Sequence, residues 1–128
     1  VVAPGLTVRR LTINAAGVAA VRVFDAKIDD LIVEGSASSV VYTEGRILTA
    51  RFDISGTARV YCYGLRSEAE VFAEGIGRVF IDAQNPDVEV TGRVQGLGRV
   101  LLTQGDCNIR GVRHFFLAVC YRLCLSPL

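Results

Sequence analysis

The chain has 128 residues, of which 51% are hydrophobic, and its 14 basic residues nearly balance its 13 acidic ones. This length suits one domain with a substantial core. The balanced charge argues against a general nucleic-acid binder, which usually has a marked basic excess. The longest apolar run, residues 115–121, is too short for a transmembrane helix, which needs about 20 apolar residues.

A glycine recurs about every nineteen residues, and each follows a run in which apolar and polar residues alternate. Period-two alternation indicates β-strands, and a signature that returns at this interval is typical of stacked repeats. The sequence therefore predicts an all-β, single-domain parallel β-solenoid (β-helix) of about six turns of roughly 19 residues. An antiparallel β-sandwich of short strands is the competing fold, but it does not require the same signature to return. The glycines are Gly17, Gly35, Gly56, Gly75, Gly96 and Gly111.

With each glycine as an equivalent corner, the residues four and two before it and four and six after it are predicted to face inward. Glycine suits such a corner because close stacking leaves no room for a Cβ atom, and residues 85–87 and 104–106 are predicted to form turns at another corner. The second turn fits this pattern only if the two inward residues after Gly35 each lie one position later in the chain. The predicted inward residues are, turn by turn, Ile13, Ala15, Val21 and Val23; Leu31, Val33, Val40 and Tyr42; Phe52, Ile54, Val60 and Cys62; Val71, Ala73, Val79 and Ile81; Gly92, Val94, Val100 and Leu102; and Cys107, Ile109, Phe115 and Leu117.

Two rows are predicted to face outward after the glycines. Stacked arginines about 5 Å apart repel each other, so this row is either a solvated edge whose stems cover apolar surface or a docking strip for acidic sugars, phosphate headgroups or carboxylates. Exposed aromatic residues commonly mark interaction sites, unless residues 115–128 fold back over them. The first row is Arg59, Arg78, Arg99 and His114; the second is Tyr61, Phe80, Leu101 and Phe116, with Arg22 and Val41 in the first two turns.

Other polar residues give weaker signals. Glu34 and Glu74 are predicted to face outward in an acidic side that also includes Asp30, Glu70 and Glu89. The dense Gly-Asp repeats of calcium-binding β-rolls are missing, so we expect a solvated face with no metal and no cofactor. The cysteines Cys62, Cys107, Cys120 and Cys124 fit neither a zinc ribbon nor a redox motif. Buried free thiols are the favoured interpretation, and disulfide pairing is left open.

No set of residues is spaced for catalysis. The acidic residues do not form an evident pair across adjacent turns, and the single histidine, His114, has no evident Ser or Asp partner for a hydrolytic triad. No phosphate-binding loop has the expected glycine spacing. We therefore expect that the protein is not an enzyme, and a polysaccharide-modifying β-helix enzyme is the least favoured alternative.

The repeated pattern in residues 31–41, 52–62, 71–81 and 94–102 resembles the auto-transporter adhesin head domain family, also called the GIN family. The resemblance extends over about residues 7–112. It implies a right-handed parallel β-solenoid displayed outside the cytoplasm, without assigned catalytic residues. The chain departs from the family pattern in having Arg near the corner in three turns, and residues after 113 have no counterpart in the repeat.

These observations predict a solenoid in residues 1–114 and an apolar tail in residues 115–128 that is a cap or a docking segment. The favoured function is a non-enzymatic adhesion or partner-binding module, with a protein or an acidic surface ligand as partner. The alternative is a structural peripheral subunit of a larger assembly, including one bound to a membrane. The expected location is extracytoplasmic; an organelle lumen or the surface of a membrane complex is the alternative. The predicted partner-binding residues are Arg59, Arg78, Arg99, His114, Tyr61, Phe80, Leu101 and Phe116.

Overall fold

The computed structural model describes residues 2–96, 98–111 and 120–122, with side chains for residues 2–96 and 98–109. These residues form strands and connecting turns, and none of them is helical. Three strands are long, at 15 to 17 residues, because each runs through two corners of the coil without interruption. The strands are β1 (Val2–Pro4), β2 (Thr7–Ala15), β3 (Ala20–Gly35), β4 (Val40–Ile54), β5 (Arg59–Gly75), β6 (Arg78–Ala83), β7 (Glu89–Gly96), β8 (Arg99–Leu102), β9 (Asp106–Gly111) and β10 (Cys120–Arg122).

Every pairing among the described strands is parallel, and each pairing joins strands that are one turn of the coil apart. Parallel neighbours need a crossover connection, and here the rest of each turn provides it. The chain is therefore a parallel β-solenoid of about six turns with a repeat of about 19 residues. This confirms the predicted fold and excludes the antiparallel sandwich. The handedness of the coil stays a prediction.

Each turn has three straight sides. In β3 the buried residues are Val23, Ala26, Ile28, Leu31 and Val33, so the interval between inward residues lengthens from two to three after Val23 and again after Ile28. The first of these breaks coincides with a shift in the pairing register between β3 and β4. Because a lost alternation step marks a bend, each break is a corner. We call residues 20–24, 40–44, 59–63, 78–82 and 99–102 the first side, and residues 30–35, 49–54, 68–73, 89–94 and 106–111 the third side.

The core is a stack of apolar residues inside the coil. Val and Ile dominate it, as expected for residues that pack well on a pleated surface. Most of the predicted inward residues that the structure describes are buried, and the side chains of Phe52, Val71, Val79, Ile81 and Val100 have no exposed surface at all. Phe115 and Leu117 lie outside the described residues. The interior row Val23, Thr43, Cys62, Ile81 and Leu102 includes two polar members.

The glycine frame was wrong in the second turn. Gly35 pairs with Ile54, two residues before the corner at Gly56. The residue that lies over Gly56 is Ala37, as shown by the hydrogen bond that the amide of Thr57 donates to the carbonyl of Ala37 (2.8 Å). The same holds at the last turn, where Gly111 pairs with Val94 rather than with Gly96. The residues that share this corner have positive φ; they are Gly17, Ala37, Gly56, Gly75 and Gly96, at 69°, 55°, 67°, 85° and 92°.

The corrected corner also changes which residues after it face inward in the second turn. Val41 was predicted to face outward but is 1% exposed and pairs with the buried Val60. Val40 and Tyr42 were predicted to face inward, yet Val40 is 36% exposed and Tyr42 lies in the outward row beside Tyr61. Counting from Ala37 instead of Gly35 gives the observed alternation without a displaced residue.

The predicted turns after the first side are present. Asn85 accepts a hydrogen bond on its side-chain oxygen from the amide of Asp87 (3.0 Å), and its side-chain amide donates to the carbonyl of Arg66 (2.8 Å). One turn further on, the side-chain amide of Gln104 donates to the carbonyl of Ala83 (2.8 Å). These side chains satisfy backbone groups of their own turn and of the turn before it, a role that polar side chains often have in turns.

Candidate interaction face

Arg59, Arg78 and Arg99 lie in consecutive turns and in register on the first side. The backbone of Arg59 pairs with that of Arg78, and Arg78 pairs with Arg99. Neighbouring parallel strands are about 4.8 Å apart, and all three side chains are exposed. We call these three residues the arginine row. In the two earlier turns, the uncharged residues Val40 and Ala20 occupy the equivalent positions.

An aromatic row runs beside the arginine row, two residues further along each strand. It consists of Tyr42, Tyr61, Phe80 and Leu101, which pair in that order. All four side chains are half-buried. At the upper end Arg22 continues the row, with its guanidinium carbon 5.4 Å from the centroid of the Tyr42 ring. This distance suits a cation–π contact.

The aromatic rings pack against each other through a fifth residue, Tyr63. The Tyr63 ring centroid lies 5.2 Å from that of Tyr42 and 5.4 Å from that of Phe80, and the Tyr61 and Phe80 centroids are 6.4 Å apart. Planes tilted by 41–42° belong to the favourable non-parallel arrangements of aromatic pairs. The rings therefore support each other as one surface cluster.

Two carboxylates border the aromatic row on the side away from the arginines. Glu44 and Asp82 pair with Tyr63 from the turns before and after it. The hydroxyl of Tyr42 donates a hydrogen bond to Glu44 Oε2 (2.9 Å), and the hydroxyl of Thr103 donates to Asp82 Oδ1 (3.1 Å). Across the first side the surface therefore changes from basic to aromatic to acidic.

The Tyr42–Glu44 hydrogen bond also changes the acidity of the phenol. It raises the pKa of Tyr42 above its usual value of 10.0, because deprotonation would remove the donor and place a second negative charge beside Glu44; partial burial acts in the same direction, and Arg22 opposes it. Tyr42 is therefore a hydrogen-bond donor at neutral pH.

The structure brings together six of the residues expected at this face and adds two. Tyr42 was assigned to the core because Gly35 was taken as the corner. Tyr63 follows Tyr61 by two residues, so alternation alone indicated its outward direction. His114 and Phe116 lie outside the described residues. The position beside Leu101, where Phe116 was expected, is taken by Tyr121 of β10, which lies within the predicted tail. The six are Arg59, Arg78, Arg99, Tyr61, Phe80 and Leu101.

No family model, curated protein or solved structure matches this chain. The resemblance to the adhesin head family therefore stays a prediction.

The third side has a shallow groove of about 340 Å³ bordered by charged residues of both signs. Arg10 lies 3.9 Å from Asp30, and Arg51 lies 3.8 Å from Glu70, so these charges partly satisfy each other. Thr49 donates a further hydrogen bond to Asp30 (2.6 Å). These charges are therefore more fully satisfied than those of Arg59 and Arg78.

The expected acidic side is split between rows. Glu34 and Glu74 are both exposed, but Glu34 pairs with Asp53 and Glu74 pairs with Gln95, so they do not share a row. Glu89 stacks between Glu68 and Asp106 in another row of the third side. Within the described residues, no group of three or more His, Cys, Asp or Glu side chains is arranged to hold a metal ion.

The two cysteines with described side chains differ. Cys62 is free and fully buried, as predicted, and burial raises the pKa of its thiol from 9.0 to about 12. Cys107 is exposed and disulfide-bonded, so the expectation of a buried free thiol was wrong there. Among the described residues, β9 is the final strand of the third side, and Cys107 pairs there with Val90 of β7. In the part of the chain that is described, no helix has the length and apolar character required to cross a membrane.

Proposed function

We propose that this protein is a non-enzymatic interaction module that binds a partner carrying anionic groups through the arginine row and the aromatic row. The observation that carries the proposal is the stacking of three exposed arginines in consecutive turns. Like charges directly opposite each other in a sheet are destabilising. An anionic partner removes this cost, since guanidinium groups bind carboxylates, sulfates and phosphates strongly.

The surroundings of the arginine row support the same proposal. Arg59 and Arg78 form no ion pair with any residue whose side chain is described. The nearest acidic residues of the first side, Glu44 and Asp82, are separated from the arginines by the aromatic row. Arginine and aromatic residues are also the types enriched at the centres of interfaces. The face therefore combines charge with a preformed apolar surface.

The disulfide at Cys107 supports the proposed extracytoplasmic location. Disulfides form and persist in oxidising compartments and are rare in the cytosol. A module outside the cytoplasm meets acidic surface polymers and acidic protein surfaces. Both are partners of the proposed kind.

The test measures binding of the protein to soluble polyanions, with poly-L-glutamate and polygalacturonate as probes, by calorimetry at physiological ionic strength. We expect Arg59→Ala/Arg78→Ala to weaken binding by about tenfold or more, since two charge-assisted contacts together contribute about 1.4 kcal/mol at least. The matched control is Arg46→Ala/Arg66→Ala, which removes the same charge from exposed residues elsewhere on the coil. Equal losses in the two variants, or no binding of either probe, would refute the proposal.

A further inference from the structure

We infer that the partner is a linear acidic polysaccharide that lies along the coil axis with one sugar unit per turn. This inference rests on the proposed function and names its ligand class. Its support is the order and the spacing of three parallel strips on the first side: the arginine row, the aromatic row, and the carboxylates Glu44 and Asp82.

The spacing between turns favours a sugar polymer over an acidic peptide. Successive arginines are about 4.8 Å apart, the separation of neighbouring strands. In an extended peptide, side chains on the same face are about 6.8 Å apart, two residues at about 3.4 Å each, so consecutive carboxylates drift out of register with the arginines. An extended pyranose chain advances per sugar by close to one strand separation. Consecutive sugars present their acid groups on different faces of such a chain, so the acid groups on one face recur after two or three sugars. Because each sugar spans about one turn of the coil, these groups still stay in register with the turns that carry the arginine row.

The order of the strips matches the surface of an acidic sugar. The arginine row binds the carboxylate or sulfate, and the aromatic row offers Tyr61 and Phe80 to the apolar C–H face of the ring. Beyond the aromatics, Glu44 and Asp82 are hydrogen-bond acceptors, which suit hydroxyl donors on the far edge of the ring. The ionised side chains of an acidic peptide are acceptors only and have no donor to offer there, and a second acidic group would be repelled.

The aromatic surface is also rigid, which favours binding. Tyr63 packs between Tyr42 and Phe80, and Tyr42 is fixed by its hydrogen bond to Glu44. Little side-chain entropy is lost when a ligand binds a surface whose rings already support each other. The face therefore has the features of a preformed binding strip.

The experiment compares four probes by calorimetry: oligogalacturonates of one to six units, heparin oligosaccharides, poly-L-glutamate and neutral dextran. We expect oligogalacturonate or heparin to bind tighter than poly-L-glutamate, and dextran not to bind. Affinity should rise with chain length up to about three units, because three turns carry an arginine. Heparin carries sulfates in addition to carboxylates, so its comparison with oligogalacturonate shows whether sulfate strengthens binding.

Variants separate the contribution of each strip. Arg59→Ala/Arg78→Ala should weaken glycan binding by about tenfold or more, and Arg46→Ala/Arg66→Ala should not. Phe80→Leu keeps an apolar side chain of similar burial, as Leu101 does in the next turn; it should weaken glycan binding while poly-L-glutamate binding stays the same. Thermal unfolding of each variant identifies any that fails to fold. If Phe80→Leu fails to fold, Tyr61→Leu replaces it as the ring variant.

The outcomes distinguish this inference from the proposed function. If poly-L-glutamate binds as tightly as the glycans, and in a way that depends on Arg59 and Arg78, the partner is an acidic protein segment; the glycan inference then fails and the proposed function stands. If no probe binds in a way that depends on these arginines, both fail. Glycan binding that ignores chain length and Phe80→Leu overturns the inference as well, because it reflects charge alone.

Discussion

Ala37 lies directly over Gly56 at the same corner of neighbouring turns, and both have a left-handed backbone, with φ of 55° and 67°. The amide of Thr57 donates a hydrogen bond to the carbonyl of Ala37 (2.8 Å), so the two backbones are in close contact. A residue with a Cβ atom is strained in this conformation by roughly 1–2 kcal/mol. Ala37 therefore carries strain that glycine avoids at the equivalent positions.

We expect Ala37→Gly to leave the free energy of unfolding unchanged or to raise it by up to about 1 kcal/mol. Relief of the strain offsets the extra chain entropy of glycine, which costs about 0.5–1 kcal/mol elsewhere. The control is Ala69→Gly, a buried position inside β5, which should lose about 1–2 kcal/mol. Chemical denaturation measures both, and an equal loss in the two variants would show that Ala37 is not strained.

A second corner is closed by direct contact between glycines. Gly64 has a φ of 98°, and a Cβ atom added to it would overlap the carbonyl oxygen of Gly45 in the turn above. Neither backbone is able to move without breaking the stack, so we expect Gly64→Ala to lose at least about 3 kcal/mol or to prevent folding.

Gly17→Ala is the matched control for this prediction. Gly17 also has a positive φ, 69°, but no atom lies within 4 Å of an added Cβ. Its cost should be limited to backbone strain, roughly 1–2 kcal/mol. Thermal or urea unfolding compares the two variants, and similar losses would contradict the role of close stacking at Gly64.

These corners show how far the sequence predicts the fold. The solenoid follows from alternation and from a recurrent glycine, both of which are local patterns. The frame failed at Gly35 because a glycine near the end of a strand has the same sequence signature as one at a corner. Only the register of the stack shows that Ala37 holds the corner, since it adopts an unfavourable conformation that its residue type does not reveal.

The residues of the candidate face were predicted correctly wherever the corner of their turn had been identified correctly. Arg59, Arg78 and Arg99 follow correctly identified corners, so their alignment was predicted correctly, as was that of Tyr61 and Phe80. Tyr42 was lost with the misplaced corner of its turn. The ring packing of Tyr63 and the hydrogen bond to Glu44 depend on side-chain geometry across turns, which alternation does not specify.

The buried thiol of Cys62 should be unreactive in the folded protein. Burial raises its pKa to about 12, and the thiolate is the reactive form. We expect iodoacetamide at mildly alkaline pH to leave Cys62 unmodified in native protein and to modify it in urea, as measured by peptide mass spectrometry. Modification under native conditions at the rate seen in urea would show that this part of the core opens readily.

The same shift predicts an alkaline loss of stability. The folded-state pKa of Cys62 lies above its ordinary value of 9.0, so the neutral thiol stabilises the fold fully below pH 9 and this contribution is lost as pH rises towards 12. Cys62→Val, which fits a row containing Val23 and Ile81, has no titrating group there. The fall in unfolding free energy between pH 9 and 12 should be smaller in this variant than in the natural chain.

The hydrogen bond between Tyr42 and Glu44 should be visible in the titration of the phenol. The Glu44 carboxylate raises the pKa of Tyr42, so Glu44→Gln should lower it towards 10.0. The ultraviolet absorbance change on ionisation measures this, and subtraction of the Tyr42→Phe titration within each background isolates Tyr42 from the other tyrosines. Glu74→Gln removes an exposed carboxylate remote from the face and should leave the titration of Tyr42 unchanged. If Glu44→Gln and Glu74→Gln have the same effect, the raised pKa of Tyr42 does not arise from its hydrogen bond, and Tyr42 is not fixed at the edge of the aromatic row in the way that the glycan inference requires.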